Sequence, residues 1–197
     1  IYGVVDGFFV SNYAGKTPFA AINLIMPVLM IFGAIGFMIG TGGSAIVSSL
    51  LGAKKDDEAN RAFSLLVYVT VGTGLLLTVI GEIFIGDIAG LLGAEDEMLE
   101  YCATYGRIIL STLTAFMLQN VFQTFLVVAE KPKLGLFITV AAGVSNMVLD
   151  YLFVGIFGFG LVGAAVATSI SQIVGGIIPL VYFFNKNSSL LRLSKAK

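Results

Sequence analysis

The chain has 197 residues, of which 57% are hydrophobic and 12% charged, and its mean hydropathy is +0.98. Soluble domains carry about 25% charged residues, so this composition predicts an integral membrane protein. The net charge of −1 argues against a nucleic-acid partner, the absence of histidine excludes a histidine-based metal site or proton relay, and the single Cys102 excludes an intrachain disulfide.

The first apolar segment, 1–13, is too short to cross a membrane alone, and we expect it to be the C-terminal half of a truncated helix. A short turn at 14–19 precedes one long apolar segment, 20–50, in which Pro27 predicts a kink. Glycines and serines are frequent in the second half of this segment, which predicts close helix packing. A phosphate-binding loop is excluded because no Gly-Lys-Ser/Thr sequence follows the glycines.

The rest of the chain divides into four further apolar segments with polar connectors between them. The segments are about 62–85, about 101–129, about 134–157 and about 161–184. The connectors are charged at 51–61, acidic at 87–100, polar at 130–133 and very short at 158–160. Long apolar runs favour helices over a barrel. We therefore predict an all-α polytopic membrane protein, with a transmembrane lobe at 1–185 and a basic tail at 186–197.

The charges of the connectors predict the orientation. The connectors at 51–61 and 130–133 and the tail hold nine Lys and Arg residues, while the alternate side receives only Lys16 and Arg107. The positive-inside rule assigns the side with more Lys and Arg to the cytoplasm. We therefore expect a multi-pass protein of the cytoplasmic membrane whose C-terminal tail lies in the cytoplasm.

Two acids, Asp6 and Asp150, fall inside apolar segments. An unpaired Asp near the centre of a bilayer costs about 2.5–3.5 kcal/mol on insertion scales, and no basic residue is near Asp150 in sequence. Asn146 lies four residues earlier and therefore on the same helix face. A cavity, a bound cation or a proton is the usual compensation for such an acid.

Other polar residues also form stripes along single helix faces. Asn120 and Gln123 are three residues apart, Thr168 and Gln172 are four apart, and Tyr105 is a further amphipathic residue. These stripes predict a shared, partly hydrated cavity, in which carboxylate, amide and hydroxyl oxygens could hold Na⁺ or a carboxyl could take a proton. The alternative is that the amides and the Thr hydroxyl only join helices, for about 0.6 kcal/mol each.

Five stretches, in their order and spacing, resemble the multidrug and toxic compound extrusion (MATE) family, most closely its DinF- and MepA-like branches. They are VDGFFVSNYAG (5–15), AAINLIMP (20–27), GTGGSAIVSSLLGAKK (40–55), AEKPKLG (129–135) and NMVLDYLFVGIFGFGLVGAAVATSISQ (146–172). Members have twelve helices in two six-helix lobes. The resemblance covers the whole chain and implies most of an N-terminal lobe, with the C-terminal lobe as its missing partner.

The resemblance also implies a site for a coupling cation, H⁺ or Na⁺, with no other cofactor. Its residues are expected at Asp6, Asn146, Asp150 and Thr168, with Tyr105, Asn120 and Gln123 lining the cavity. One departure is that many relatives carry a basic residue near 124–130, where this chain reads VVAEKPKLG (127–135).

We therefore expect an antiporter that exports cationic amphiphilic compounds, surrounded by membrane lipid. An enzyme is disfavoured because no nucleophile–base pair or metal constellation is visible. Two alternatives stay open. One is a lipid-linked oligosaccharide flippase of the same superfamily, for which only Arg107 could supply a basic group, and the other is a non-transporting membrane scaffold.

Overall fold

The computed structural model describes residues 2–185 and 189–193, so Ile1 and most of the predicted 186–197 tail lie outside it. The described residues form seven α-helices and no strand, and a π-helical segment, Tyr151–Ile156, extends the sixth helix. The helices are α1 (Tyr2–Tyr13), α2 (Lys16–Gly52), α3 (Asp56–Leu91), α4 (Asp96–Ser111), α5 (Leu113–Val128), α6 (Pro132–Asp150) and α7 (Gly160–Phe184).

Four helices are long and apolar enough to cross a membrane: α2, α3, α6 with its π-helical segment, and α7. Helices α4 and α5 together make a fifth span, bent by 53°. The predicted all-α polytopic fold is confirmed, but the continuous span expected at about 101–129 is broken at Thr112. There the Thr112 hydroxyl donates a hydrogen bond to Gln172 Oε1 of α7 at 2.9 Å. This contact with another helix lies at the residue where the regular helical backbone hydrogen bonds are interrupted.

The connectors are shorter than the sequence predicted. Only residues 53–55 and 92–95 separate the helices where charged connectors at 51–61 and 87–100 were expected. Asp56, Asp57 and Glu58 instead lie in the first turn of α3, and Asp96 and Glu97 lie in the first turn of α4. Negative side chains are favourable there because the unpaired N–H groups give a helix start a partial positive charge.

Glycines bring α2 and α5 into close contact. A Cβ atom added at Gly36 would lie 2.7 Å from the Cα atom of Met117, and one at Gly40 would lie 3.0 Å from the Cα atom of Val121. Gly42, on another face of α2, has open space around it. The predicted packing role of these glycines is therefore confirmed at the buried positions, where only Gly leaves room for the neighbouring backbone.

The lobe has two ends that differ in charge. We call the end formed by connectors 14–15, 92–95 and 157–159 the acidic end, because Glu95 and the first turn of α4 lie there. The opposite end, with connectors 53–55 and 129–131, is called the basic end. Its core is a cluster of aromatic rings, and Leu191 of the tail is fully buried against it. The polar residues predicted to bind a cation lie between these ends.

Candidate functional site

Three polar side chains from three helices meet in the interior of the lobe. The Thr168 hydroxyl of α7 donates a hydrogen bond to Asp6 Oδ2 of α1 at 2.8 Å. The Asn146 amide of α6 donates to Asp6 Oδ1 and lies equally close to Thr168 Oγ1, at 3.3 Å in both cases. All three side chains are buried, with Asp6 only 1% exposed. The fold thus joins residues that are far apart in sequence around one carboxylate.

Asp150 brings a second carboxyl group to this cluster. It lies one helical turn beyond Asn146 on the same face of α6 and is fully buried. Neither of its oxygens makes a hydrogen bond, and the carboxyl of Asp6 is close enough to act on it electrostatically. Two neighbouring carboxylates repel each other when both are ionised, and a proton or a cation removes this repulsion. The pair is therefore suited to hold a proton or a cation between them.

Further oxygens in the cluster are also without partners. The hydroxyl of Tyr105 on α4 is fully buried close to Asp6 and Asp150 and makes no hydrogen bond. The side-chain oxygen of Asn146, Oδ1, also has no hydrogen-bond partner. Buried polar atoms are paired in the great majority of cases. Unpaired oxygens concentrated around two carboxyls therefore mark a place where a cation, a proton or ordered water would be bound.

The electrostatics of the cluster favour a positively charged ligand. The ion pairs among the described residues are Lys55–Glu58, in α3 and the connector before it, and Arg107–Glu82, between α4 and α3. Neither pair involves the acids of the cluster, so their charge is not compensated by a basic side chain in the described part of the chain. Carboxylate, amide and hydroxyl oxygens are ligands of hard cations, which fits Na⁺ as well as H⁺.

A cavity of about 170 Å³ adjoins the cluster. One wall is polar and the other is apolar and rich in methionine, whose flexible side chain adapts to different shapes. The lining residues are Asp6, Met26, Leu29, Met30, Tyr105, Ile109, Leu113, Phe116, Thr168 and Gln172. Met30 is 60% exposed, so this wall lies at the edge of the lobe. The arrangement suits a ligand that is cationic on one side and apolar on the other.

Two residues predicted to line a polar cavity, Asn120 and Gln123, do not line this one. Asn120 is half-buried and its amide approaches the Gly33 carbonyl of α2 at 3.5 Å. Gln123 is exposed and donates to Thr139 Oγ1 of α6 at 3.0 Å. Neither is among the residues that line the cavity, because the buried side of α5 carries Met117, Val121 and Phe125 instead. For Gln123 the structure shows the helix-joining role that the sequence left open.

Several residues in and near the cavity were not predicted, because little in the sequence distinguishes them. Gln119 is buried and packs against α7, where a Cβ atom at Gly175 would lie 2.5 Å from its Cδ atom. Met26, Met30 and Phe116 line the cavity but have the same hydropathy as residues that face lipid. Only the three-dimensional arrangement separates them. Arg107 is 62% exposed and 4.0 Å from Glu82, so it does not line this cavity.

Comparison with known proteins gives consistent matches. A family model described as MatE matches residues 1–152. The chain is 30% identical over 190 residues to the multidrug export protein MepA of Staphylococcus haemolyticus (strain JCSC1435), covering 96% of this chain and 42% of that protein. It is 27% identical over 194 residues to MepA of Staphylococcus aureus (strain MRSA252), covering 98% and 43%. The chain thus spans less than half the length of these curated relatives.

Solved structures match as well. The chain superimposes with a TM-score of 0.92 on an inward-facing multidrug resistance MATE family transporter of the MOP superfamily, at 26% identity over 98% of this chain and 44% of that one. It also superimposes on the outward-facing conformation of a multidrug resistance MATE family transporter of the MOP superfamily. The TM-score is 0.91, at 26% identity over 98% of this chain and 43% of that one. Each structural match again leaves more than half of the known transporter uncovered.

Proposed function

The chain belongs to the MatE family, and we propose that it forms one lobe of a cation-coupled antiporter that exports cationic amphiphilic compounds across the cytoplasmic membrane. The observation that carries this proposal is the buried cluster of Asp6, Asn146, Thr168 and Asp150, in which two acids have no basic partner. A carboxyl pair inside a membrane protein is costly and is usually tied to ion or proton movement. The names of the relatives, which are multidrug export proteins, support export as the direction and drugs as the cargo.

The site would couple the cation to the position of α1. Thr168 and Asn146 hold Asp6 by hydrogen bonds, and thereby hold α1 against α6 and α7. A proton or Na⁺ at the carboxyl pair reduces the repulsion between the two acids and competes for the same oxygens. Binding therefore changes the forces on α1. Coupling further requires that the cation bind one state of the transporter more tightly than the other, since equal affinity shifts no equilibrium.

The cavity favours a cationic substrate. Its polar wall includes Asp6, and its other wall is formed by apolar and methionine side chains. The coupling cation and the drug would then compete for the negative charge of Asp6, so that each would lower the affinity for the other. An anionic pyrophosphate, as an oligosaccharide flippase would carry, finds no basic residue in this cavity because Arg107 lies elsewhere. A non-transporting scaffold would gain nothing from two uncompensated acids.

A second lobe is the proposed partner. The relatives are more than twice as long as the matched region, which leaves room for another unit of similar size. The chain is equally similar to the inward-facing and the outward-facing transporter, with TM-scores of 0.92 and 0.91. This supports a mechanism in which the lobe moves largely as a unit against its partner. By the positive-inside rule, we propose that the basic end faces the cytoplasm and the acidic end faces outward.

Transport by the complete transporter tests this function. The protein would be reconstituted into vesicles with a fluorescent cationic dye, and Na⁺ and pH gradients would be imposed separately. We expect one of these gradients to drive dye movement against its concentration gradient, while an anionic dye of similar size is not moved. Dye movement that ignores both gradients would contradict a cation-coupled antiporter.

A further inference from the structure

A second cavity, of about 480 Å³, lies at the acidic end of the lobe, apart from the cluster of Asp6 and Asp150. We call it the end pocket. It is bounded by the α1–α2 connector with Tyr13, by Glu100, Tyr101 and Thr104 of α4, and by the connector with Gly158 and Phe159. We propose that the end pocket is the outer access site for the coupling cation, and that Glu100 concentrates the hydrated cation there. This inference rests on the proposed function.

Three walls of the end pocket lead directly to residues of the cation site. On α4, Tyr101 is four residues from Tyr105, which is about 6 Å along the helix. On α7, Leu161 is seven residues from Thr168, and on α1, Tyr13 is seven residues from Asp6. Seven residues correspond to about 10 Å. The pocket therefore lies one to two helical turns from Tyr105, Thr168 and Asp6, each measured along its own helix.

A thin apolar layer separates the pocket from the site. Val10 of α1, Val154 of the π-helical segment and Leu161 of α7 are 0%, 1% and 4% exposed and belong to one buried cluster. The site is thus closed toward the acidic end in this conformation. Val154 lies in a π-helical segment, and such irregular turns occur frequently at functional sites. A small shift of this segment relative to α1 and α7 would open the layer.

The charge of the end pocket fits a cation. Glu100 is exposed, and no basic side chain is among the described residues that line the pocket, although the exposed Lys16 lies between the lining residues Ala14 and Pro18 in sequence. Glu97, in the same turn of α4, accepts a hydrogen bond from the Tyr101 hydroxyl at 3.0 Å and adds a second negative charge next to the pocket. Clefts lined by one sign of charge raise the local concentration of counter-ions. Thr104, which lines the pocket, directly precedes Tyr105, whose buried hydroxyl has no hydrogen-bond partner.

The first test is the concentration of coupling cation that gives half-maximal efflux by the complete transporter. We expect Glu100→Gln to raise it about two- to fivefold, with an unchanged maximal rate, and we expect added choline chloride to shrink the difference by screening. Glu95→Gln is the matched control, since it removes the same charge from the same end but not from the pocket. Equal values for both variants and the unmodified transporter would overturn the proposal.

The second test probes access along α4. In a Cys102→Ala background, Thr104→Cys would be treated from outside with a membrane-impermeant cationic thiol reagent. We expect labelling to block cation-driven efflux, whereas labelled Leu99→Cys, which is exposed on α4 but does not line the pocket, should remain active. Efflux that is unaffected by labelling at Thr104→Cys would overturn the proposal.

The outcomes separate the end pocket from the proposed function. If the unmodified transporter shows no cation dependence at all, the proposed function fails. If cation dependence is present but Glu100→Gln and labelled Thr104→Cys behave like the controls, only the end pocket is wrong. If Glu100→Gln changes the KM for the cationic dye and leaves the half-saturating cation concentration unchanged, the pocket serves the substrate, which also overturns the assignment to the coupling cation.

Discussion

At the scale of single residues, the free-energy cost of two buried charges exceeds what their hydrogen bonds return, so we expect the polar cluster to bind a cation or a proton. Two charged acids at membrane depth cost about 5–7 kcal/mol, from about 2.5–3.5 kcal/mol each. Hydrogen bonds between membrane helices average about 0.6 and reach about 1.7 kcal/mol, so the three bonds among Asp6, Asn146 and Thr168 contribute about 2–5 kcal/mol. None of these bonds reaches Asp150, so its charge must be neutralised in another way.

Thr168→Val tests the role of one of these bonds. The change keeps the shape of the side chain but removes the donor to Asp6 Oδ2. Because the cation competes with this bond for Asp6 Oδ2, we expect the affinity for the coupling cation to rise by about 3- to 18-fold, which corresponds to a hydrogen bond of about 0.6–1.7 kcal/mol. Cation titration of efflux would measure it. Thr70→Val is the control, because the buried Thr70 hydroxyl donates to the Leu66 carbonyl of its own helix, and an equal change in cation affinity there would contradict a specific role of Thr168.

Local spacing predicted one part of this cluster, and the other part was expected from the family resemblance, for a physical reason. Asn146 and Asp150 are four apart in one helix, so their shared face follows from local geometry. Their meeting with Asp6 and Thr168 depends on how α1, α6 and α7 pack, which local spacing does not determine, and it was expected only from the family resemblance. Gln123 is exposed and outside this cavity, because two polar residues on one side of a helix can still fall outside its buried stripe.

At the scale of helices, close packing and irregular turns position the site. Glycines let α2 approach α5, which fixes the wall on which Met30 and Phe116 meet the cavity. The break at Thr112 and the π-helical segment after Asp150 were not predicted, because both arise from tertiary contacts in sequences that are apolar throughout. Hydropathy predicts where a span lies in the sequence but carries no information about its local winding.

Gly36→Ala tests the α2–α5 contact. The new methyl group would lie 2.7 Å from the Met117 Cα atom, so the helices must separate, and overpacking of this kind costs about 1–3 kcal/mol. We expect a lower thermal unfolding temperature in detergent, measured by loss of monodisperse protein on heating. Gly42→Ala should leave that temperature unchanged or raise it, because its surroundings are open and Ala favours helix. Equal behaviour of the two variants would contradict the close contact.

At the scale of the whole molecule, the proposed orientation links the two ends of the lobe to the two sides of the membrane. The number and order of spans followed from hydropathy, and the side assignment followed from Lys and Arg in alternate connectors. The shape of the interior did not follow from either. Both cavities are built by residues of four or five helices, and neither has a continuous signature in the sequence.

Cysteine labelling tests this orientation. In a Cys102→Ala background, a membrane-impermeant thiol reagent added to intact cells should label Glu95→Cys in the 92–95 connector. Ala53→Cys, in the 53–55 connector, should react only after the cells are opened. The reverse pattern would contradict the positive-inside assignment and would place the end pocket on the cytoplasmic side.

The central claim is that the buried carboxyl pair binds the coupling cation. The most direct measurement is dye efflux by the complete transporter under an imposed cation gradient, compared between Asp150→Asn and Asp87→Asn at equal amounts of reconstituted protein. Asp87 is exposed near the acidic end and outside the site, so its variant should keep gradient-driven efflux. We predict that Asp150→Asn reduces efflux to the level seen without a gradient. Full gradient-driven efflux by Asp150→Asn would contradict the claim.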